Sequence, residues 1–289
     1  MLAKPASEAS IVKKRFGDMR LKEALVGKLT PQQLSLLRGF DVIGDIAVME
    51  IPPELVKKQG VIAKTLMALL PSIKVVAKKK GGHKGMYRKQ PVEVIGGEKR
   101  KTTVHREHGL AFALNIETCY FSPRLSTERI RVAKQVKPGE TVLVLFSGVA
   151  PFPLVIAKHS KAKKVIAIEA NPSAHKYAVE NVKRNKLGDR VIVKKGDAKK
   201  SIPKLNFSRI LLPWPQRADE FLLSTLKHAK KGTTVHFYDF QPEGELHAAA
   251  DIVKAACAEA KKKCKIRNIV ECGNVGVRLN RVCVDFRIG

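Results

Sequence analysis

The stretch Val142–Asn185, VLVLFSGVAPFPLVIAKHSKAKKVIAIEANPSAHKYAVENVKRN, decides the fold. Val142–Phe146 is a short, unbroken apolar run, the signature of a strand buried on both faces of a parallel sheet. Ser147-Gly148-Val149-Ala150-Pro151 interrupts it, and Phe152–Lys158 reads as a short helix. Val165–Ile168 is a second buried strand and closes on Glu169. Asn171-Pro172-Ser173 then opens another helix, with Pro in the first turn, where a missing N–H costs nothing. Strand, Gly-bearing turn, helix, strand and carboxylate together make a βαβ unit with a helix N-terminus over its first turn.

Downstream, the pattern repeats. Val191–Lys194 is a third strand, ending in Gly196-Asp197-Ala198, and Arg209–Leu212 is a fourth, ending in Pro213-Trp214-Pro215-Gln216. Ala218–Ala229 is helical, Thr233–Phe240 a strand and Glu243–Lys261 a helix. Lys265–Cys272 and Arg281–Arg287 form a terminal antiparallel pair. Residues 120–289 are therefore expected to be an α/β, Rossmann-like domain with a mostly parallel sheet and an antiparallel terminal strand. Ligands of such sheets bind outside the C-terminal strand ends. There a carboxylate such as Glu169 accepts hydrogen bonds from ribose hydroxyls. Asp197 either faces an adenine amino group or caps its own turn. The turn lacks the three-Gly pattern that accommodates a dinucleotide pyrophosphate, so a nucleoside without phosphates, such as S-adenosylmethionine, suits it better than NAD. Trp214, the one Trp of the chain, either covers this pocket or packs as a half-exposed loop residue.

Upstream, residues 1–39 read as a basic N-terminal helical extension. Leu21–Leu25 and Pro31–Leu37 are its short helices, the second with Thr30 as N-cap. They pack on the next domain or await RNA. Phe40–Glu50 alternates as one strand stopped by Pro52-Pro53, Glu54–Leu70 has helical spacing, and Ile73–Ala77 is a strand. Lys78–Gly85 is a basic, Gly-rich loop, either a solvated tip or a phosphate contact. Val92–Ile95, Thr102–His105 and Leu110–Ile116 complete a small α+β domain over 40–119, in which His105 and His108 read as structural. Glu117–Arg129 leads into the larger domain, followed by a helix to about Val136. Its cluster of Tyr120, Arg124, Glu128 and Arg129 beside the ligand turn is the best candidate for catalytic groups. The alternative is that Ser126 and Glu128 cap a helix and Glu128 and Arg129 form a surface pair.

The chain of 289 residues carries 55 Lys and Arg against 26 Asp and Glu, a net charge of +29 spread along its length. Such an excess points to a polyanionic partner, RNA or DNA first, rather than to a membrane, since no long basic amphipathic helix stands out. Cys119, Cys257, Cys264, Cys272 and Cys283 show no metal-ligand spacing and are expected to be reduced thiols. No segment has the length of a membrane span, and Met1–Pro5 opens no signal-peptide core, so a cytoplasmic protein is expected.

FDVIGDIAVMEIP, the HREHG turn, YFSPRLSTER, AIEANP with YAVENVKRN, the ADEFL helix and VHFYDF resemble the archaeal and eukaryotic tRNA (guanine-N1)-methyltransferases that modify guanine 37 beside the anticodon. The resemblance runs from about Leu21 to the C-terminus, and YFSPRLSTER is its most specific part. It implies S-adenosylmethionine as cofactor, the tRNA anticodon stem-loop as partner, a monomer, a 40–119 domain that positions the target, and a chain without the extra N-terminal domain of many members. It also implies Glu128 as acceptor of the guanine N1 proton, Arg124 and Arg88 as cations for the guanine O6 or a phosphate, and Tyr120 as a stacking ring. The cofactor residues it implies are Arg129, Phe146, Gly148, Val149, Glu169, Asp197, Ala198, Leu211 and Pro213; no metal is implied.

The chain departs from the family pattern around one pocket. Val144 stands where the first motif has Asp, and Ala150 where FAGVGPF has its second Gly, which lets the backbone approach the cofactor. Leu211 stands where an Asn-Leu-Pro has Asn. These departures leave two expectations open: a methyltransferase with a divergent cofactor turn, or a tRNA-binding paralogue that is inactive or retargeted, as in the wyosine-base pathway.

Overall fold

The computed structural model describes residues 20–214, 218–276 and 278–289. The first part of the expected N-terminal extension, and Pro215 and Gln216 of the expected strand-end loop, lie outside these. The chain separates into two compact units, one ending at Pro123 and the other beginning at Arg124.

In the first unit, helical residues 20–24 (α1) precede α2 (Pro31–Leu36). Thr30 and Gln33 form a reciprocal capping box on α2 with Pro at its first positions, as the sequence pattern requires. Leu21, Leu25, Leu29 and Leu37 are buried in one core with Leu55, Ile62, Leu66 and Val76, so residues 20–39 belong to this unit's own core. The expected single strand Phe40–Glu50 is a hairpin, β1 (Phe40–Ile43) and β2 (Ile46–Met49). Its apolar alternation runs through both arms and hides the turn, which Gly44 makes at φ +59°. A Cβ on Gly44 would lie 2.8 Å from the Val104 carbonyl and closer still to the Thr103 hydroxyl. Gly44→Ala is therefore expected to cost about 1–3 kcal/mol in urea unfolding; a midpoint equal to wild type would refute the clash.

The predicted helix over Glu54–Leu70 begins as a 3₁₀ turn, Pro53–Lys58, before α3 (Gln59–Leu69). β3 (Val75–Lys79) and β4 (Val92–Gly97) complete a four-stranded sheet in the order β1-β2-β3-β4, with β2 and β3 parallel. β5 (Thr102–Glu107) and β6 (Leu110–Asn115) form a separate hairpin. His105 is structural, as expected: its Nδ1 accepts from the Gly44 N–H at 3.2 Å, while Arg100 pairs with Asp45 in the same turn.

A 3₁₀ turn, Pro123–Leu125, runs into α4 (Ser126–Gln135), the first helix of the second unit. Its sheet is formed by β7 (Thr141–Val144), β8 (Lys164–Glu169), β9 (Val191–Lys195), β10 (Phe207–Leu212), β11 (Ala229–Pro242), β12 (Cys264–Gly276) and β13 (Leu279–Ile288). The order is β12-β13-β11-β10-β7-β8-β9, with β7 to β11 parallel and β13 antiparallel to both its neighbours. Around it lie α5 (Pro151–His159), α6 (Pro172–Arg184), α7 (Ala218–Leu226) and α8 (Ala248–Glu259). Val142 to Leu145 are wholly buried, as the continuous apolar run required. The helix expected to reach Ala229 stops at Leu226, because Ala229 already pairs with Phe207 in the sheet. The helix expected from Glu243 starts at Ala248; Gly244, at φ +89°, turns the chain after a longer β11. Chain order reverses direction between β7 and β10, and a ligand crevice belongs outside that switch point.

Candidate active site

The turn after β7 is held by its own backbone and by the end of β8. Ser147 N–H donates to the Ile168 carbonyl at 3.0 Å and Ala150 N–H to the Ser147 carbonyl at 2.9 Å. Phe146, Gly148 and Ala150 all have left-handed φ, of 51°, 57° and 68°. Ala150 thus occupies, as N-cap of α5, a conformation that favours Gly, and carries the strain of a Cβ there. Glu169 closes the turn: one carboxylate oxygen accepts from Gly148 N–H and the other from Asn171 N–H, each at 2.7 Å. Burial pushes the Glu169 carboxyl up, and these backbone donors only partly offset it. Asn181 in α6 donates to the Val149 carbonyl at 3.0 Å, fixing the far side of the turn.

Of the other expected cofactor residues, Leu211 and Ala198 are buried, Pro213 is half-buried at the end of β10, and Asp197 is exposed. Asp197 accepts from the Lys199 N–H at 2.7 Å, capping its own turn. The Phe146 ring meets Trp214 at 4.6 Å and Phe221 at 4.8 Å, both edge-on, and Lys199 Nζ lies 4.7 Å from the centre of the Phe221 ring.

Glu128 sits in the first turn of α4 and is buried. The expected capping alternative does not hold: Leu125 is the N-cap with no side-chain bond, and Arg129 is buried rather than on the surface. The partner of Glu128 is Arg131, whose Nε reaches Oε2 at 2.6 Å and Nη2 reaches Oε1 at 2.8 Å. The Tyr238 hydroxyl also donates to Oε1, at 2.6 Å. Arg131 continues to Asp285 with contacts of 2.6 and 3.1 Å. Asp285 bonds His236 Nδ1 at 2.6 Å, and His236 Nε2 meets Arg209 Nη1 at 2.6 Å. Arg209 in turn pairs with Glu140 at 2.7 Å. Because a guanidinium only donates, Nε2 of His236 accepts and its Nδ1–H donates to Asp285. Burial pushes the Asp285 carboxyl up, but His236 and Arg131 outweigh it and hold the group well below the usual carboxylate range. Ligand-type atoms of His236, Cys283 and Asp285 converge within 4.8 Å, with Arg131 bonded to Asp285 and Arg209 to His236.

Sequence reasoning singled out Glu128 but missed Arg131, Tyr238, His236 and Asp285. The signal lay in VHFYDF and VCVDF, where polar side chains alternate with apolar ones in strands buried on both faces. Positions two apart share a face, so His236 and Tyr238 project together, as do Cys283 and Asp285.

Arg124 is exposed in the 3₁₀ turn and reaches the Asn274 carbonyl at 3.5 Å. Arg88 and Tyr120 belong to the first unit. There the Arg88 guanidinium lies 4.7 Å from the centre of the Tyr120 ring, and the His83 ring packs against the same tyrosine at 5.4 Å. Burial, then the charges of Arg88 and Lys79, pull His83 down to about 4, so it is a neutral stacking ring at pH 7.

Sheet order, antiparallel β13 and the turn–carboxylate pair define a Rossmann-like methyltransferase domain. A family model described as the TRM5/TYW2 methyltransferase domain matches residues 103–267, and one described as the TYW2 N-terminal domain matches 21–100. The chain belongs to the TRM5/TYW2 methyltransferase family. It is 35% identical over 261 residues to the tRNA (guanine(37)-N(1))-methyltransferase Trm5b of Pyrococcus abyssi, covering 89% of this chain and 78% of that protein. It is also 35% identical over 226 residues to the tRNA(Phe) (4-demethylwyosine(37)-C(7)) aminocarboxypropyltransferase of Pyrococcus horikoshii, covering 78% and 80%. The crystal structure of P. horikoshii TYW2 in complex with MeSAdo superposes with a TM-score of 0.77 at 30% identity, covering 94% of this chain and 98% of that one.

Proposed function

We propose that this chain transfers the methyl group of S-adenosylmethionine to N1 of guanine 37 in tRNA, with Glu128 as proton acceptor. One observation carries the reading. A carboxylate offers about four lone-pair sites. Arg131 and Tyr238 fill two on Oε1 and one on Oε2, which among the described residues leaves one acceptor site on a carboxylate whose orientation is otherwise locked. Guanine N1 is protonated at neutral pH, so a positioned base removes its proton as the new bond forms. A cation at O6 offsets the charge that develops there, the role that falls to Arg124. Within the first unit, Tyr120, framed by Arg88 and His83, has a ring face on which a nucleobase can stack.

The donor contributes an electrophilic methyl on a sulfonium. The residues present fit its nucleoside. Glu169 retains acceptor capacity for ribose hydroxyls and the aromatic wall of Phe146 is apolar, whereas the first turn of α5 carries Pro151 and Pro153, which have no N–H to offer. Glu169→Ala is expected to weaken donor binding at least about tenfold, since a charge-assisted hydrogen bond and two anchors of the turn go together. Calorimetric titration checks this, and an unchanged Kd would remove Glu169 from the pocket. The net charge of +29 supports tRNA as the polyanion, with affinity that falls steeply with salt.

A second reading is supported by the match to the TYW2 N-terminal domain and by the aminocarboxypropyltransferase relative: transfer of the aminocarboxypropyl group from the same donor to a wyosine-type base. The deciding experiment supplies an unmodified tRNA transcript, and separately tRNA bearing 4-demethylwyosine, with S-adenosylmethionine, and identifies the product nucleoside by mass. N1-methylguanosine supports the first reading. An aminocarboxypropyl product on the tricyclic base alone replaces it with the second, and no product on either tRNA refutes both.

A further inference from the structure

We propose that the Ser147 hydroxyl and the Trp214 indole N–H are ligand-binding groups of the donor pocket, hydrogen-bonded to an S-adenosyl nucleoside when it is present; this rests on the donor reading above. β7 and β10 are parallel neighbours whose last registered pair is Val144 with Leu211, and Leu145 N–H donates to the Leu211 carbonyl at 3.0 Å. Ser147 and Trp214 each lie three residues beyond that pair, on the two chains that leave the sheet at its switch point, where ligands of this architecture bind.

Both side chains carry a buried polar atom, Ser147 Oγ and Trp214 Nε1, with no hydrogen-bond partner among the described residues. Ser147 is 4% exposed, so bulk water does not serve its hydroxyl. Buried polar groups in folded proteins are almost always paired, and an orphan at a binding crevice is explained by a ligand that completes it. The Trp214 ring is fixed against Phe146 at 4.6 Å and Phe221 at 5.7 Å, which holds its N–H in one place.

The chemistry narrows the ligand. An indole N–H only donates, so it needs an acceptor; a hydroxyl does either. An S-adenosyl nucleoside presents acceptors in its ring nitrogens, ribose oxygens and carboxylate. Leu211 offers no side-chain donor at this strand end, and Trp214 restores one three residues on. The FAGVGPF pattern likewise has Ala at the position of Ser147, so this hydroxyl is an addition rather than part of the motif.

Two measurements test the proposal with S-adenosylhomocysteine as probe. For Ser147, calorimetric titration of wild type and Ser147→Ala is paired with the thermal midpoint of each apo protein. A contact to ligand raises Kd about five- to tenfold. Deleting an unpaired hydroxyl leaves the apo midpoint unchanged or raises it. For Trp214, the chain's single Trp gives one indole resonance in a ¹⁵N-correlated spectrum, and a new hydrogen bond moves it downfield as the probe saturates. An unchanged Kd together with an unmoved indole resonance, in wild type that binds the probe, overturns this proposal alone. An apo midpoint lowered in Ser147→Ala shows the hydroxyl was already paired and also overturns it. Wild type that does not bind the probe overturns both the proposal and the donor reading.

Discussion

Glu128→Gln is expected to lower the single-turnover rate of methyl transfer by about 10²- to 10⁴-fold, the usual worth of a positioned proton acceptor, which is the role proposed for Glu128. The amide keeps the shape of the carboxylate and can still accept from Tyr238, so the effect reports lost basicity more than lost packing. Its nitrogen meets Arg131, donor against donor, and costs about 1–3 kcal/mol of stability, so rates belong at a temperature where the variant is folded. Affinity for tRNA is expected to change little, because nucleic acids are held chiefly through phosphate contacts rather than by one buried carboxylate. The pH dependence separates a base from a scaffold. With Glu128 removed, proton loss from guanine N1 falls to hydroxide, and the residual rate climbs tenfold per pH unit where wild type is level. A variant that transfers methyl at the wild-type rate, with the same pH profile, would end the proton-acceptor assignment.

Arg131→Met is expected to cost about 3 kcal/mol, the low end for breaking a buried ion pair because the Arg131 side chain keeps 24% of its exposure. For a chain of this size that is a fall of about 6–12 °C in the thermal midpoint. The change leaves Glu128 and Asp285 as neighbouring carboxylates without their shared cation, so the loss depends on pH with a predictable sign. In wild type the Asp285 carboxyl is held low, so its contribution to stability is complete above the unfolded pKa of about 3.9 and disappears as pH falls below it. In the variant His236 still lowers the Asp285 carboxyl, but without the help of Arg131 it lies higher than in wild type, so the variant loses less stability on acidification than wild type does. The gap between variant and wild type should therefore narrow from about pH 7 to about pH 3, as pH falls below the unfolded carboxylate pKa of about 3.9. Glu169, whose carboxyl burial raises, has the same sign in both proteins and cancels in the comparison. Denaturant unfolding at the two pH values checks this, and a gap under about 1 kcal/mol that ignores pH would show that Arg131 holds nothing together. Replacing Glu128, Arg131 and Asp285 together by apolar residues of like volume is expected to recover much of the loss.

These two side chains also mark where sequence reading stopped. Glu128 stood out in YFSPRLSTER as one Glu among two Arg and a Tyr beside the ligand turn, although helix capping fitted the local pattern equally well; its role as proton acceptor came from the family resemblance. Arg131 is three residues further along the same helix and reads as one more surface cation. Its importance comes from Asp285, 154 residues away, and no local pattern encodes that meeting. The same applies to His236 and Arg209, which face each other only because β10 and β11 are parallel neighbours in this register. The hairpin within FDVIGDIAVME was hidden for a different reason: alternation continues across the turn, and one Gly with positive φ is all that breaks it.

By itself the sequence determined the parallel β-strands, their Gly turn and carboxylate, and the capped helix at Thr30, because each depends on residues within one turn or one strand of each other. Burial on both faces demands an unbroken apolar run, and capping demands particular side chains at fixed offsets. Only the tertiary structure decided which charges pair beneath α4, and that Ser147 and Trp214, beyond the ends of neighbouring β7 and β10, carry polar atoms with no partner among the described residues. Whether a polar group is satisfied depends on every chain segment that comes within 3 Å of it. That is a property of packing, which sheet order and register set over more than a hundred residues.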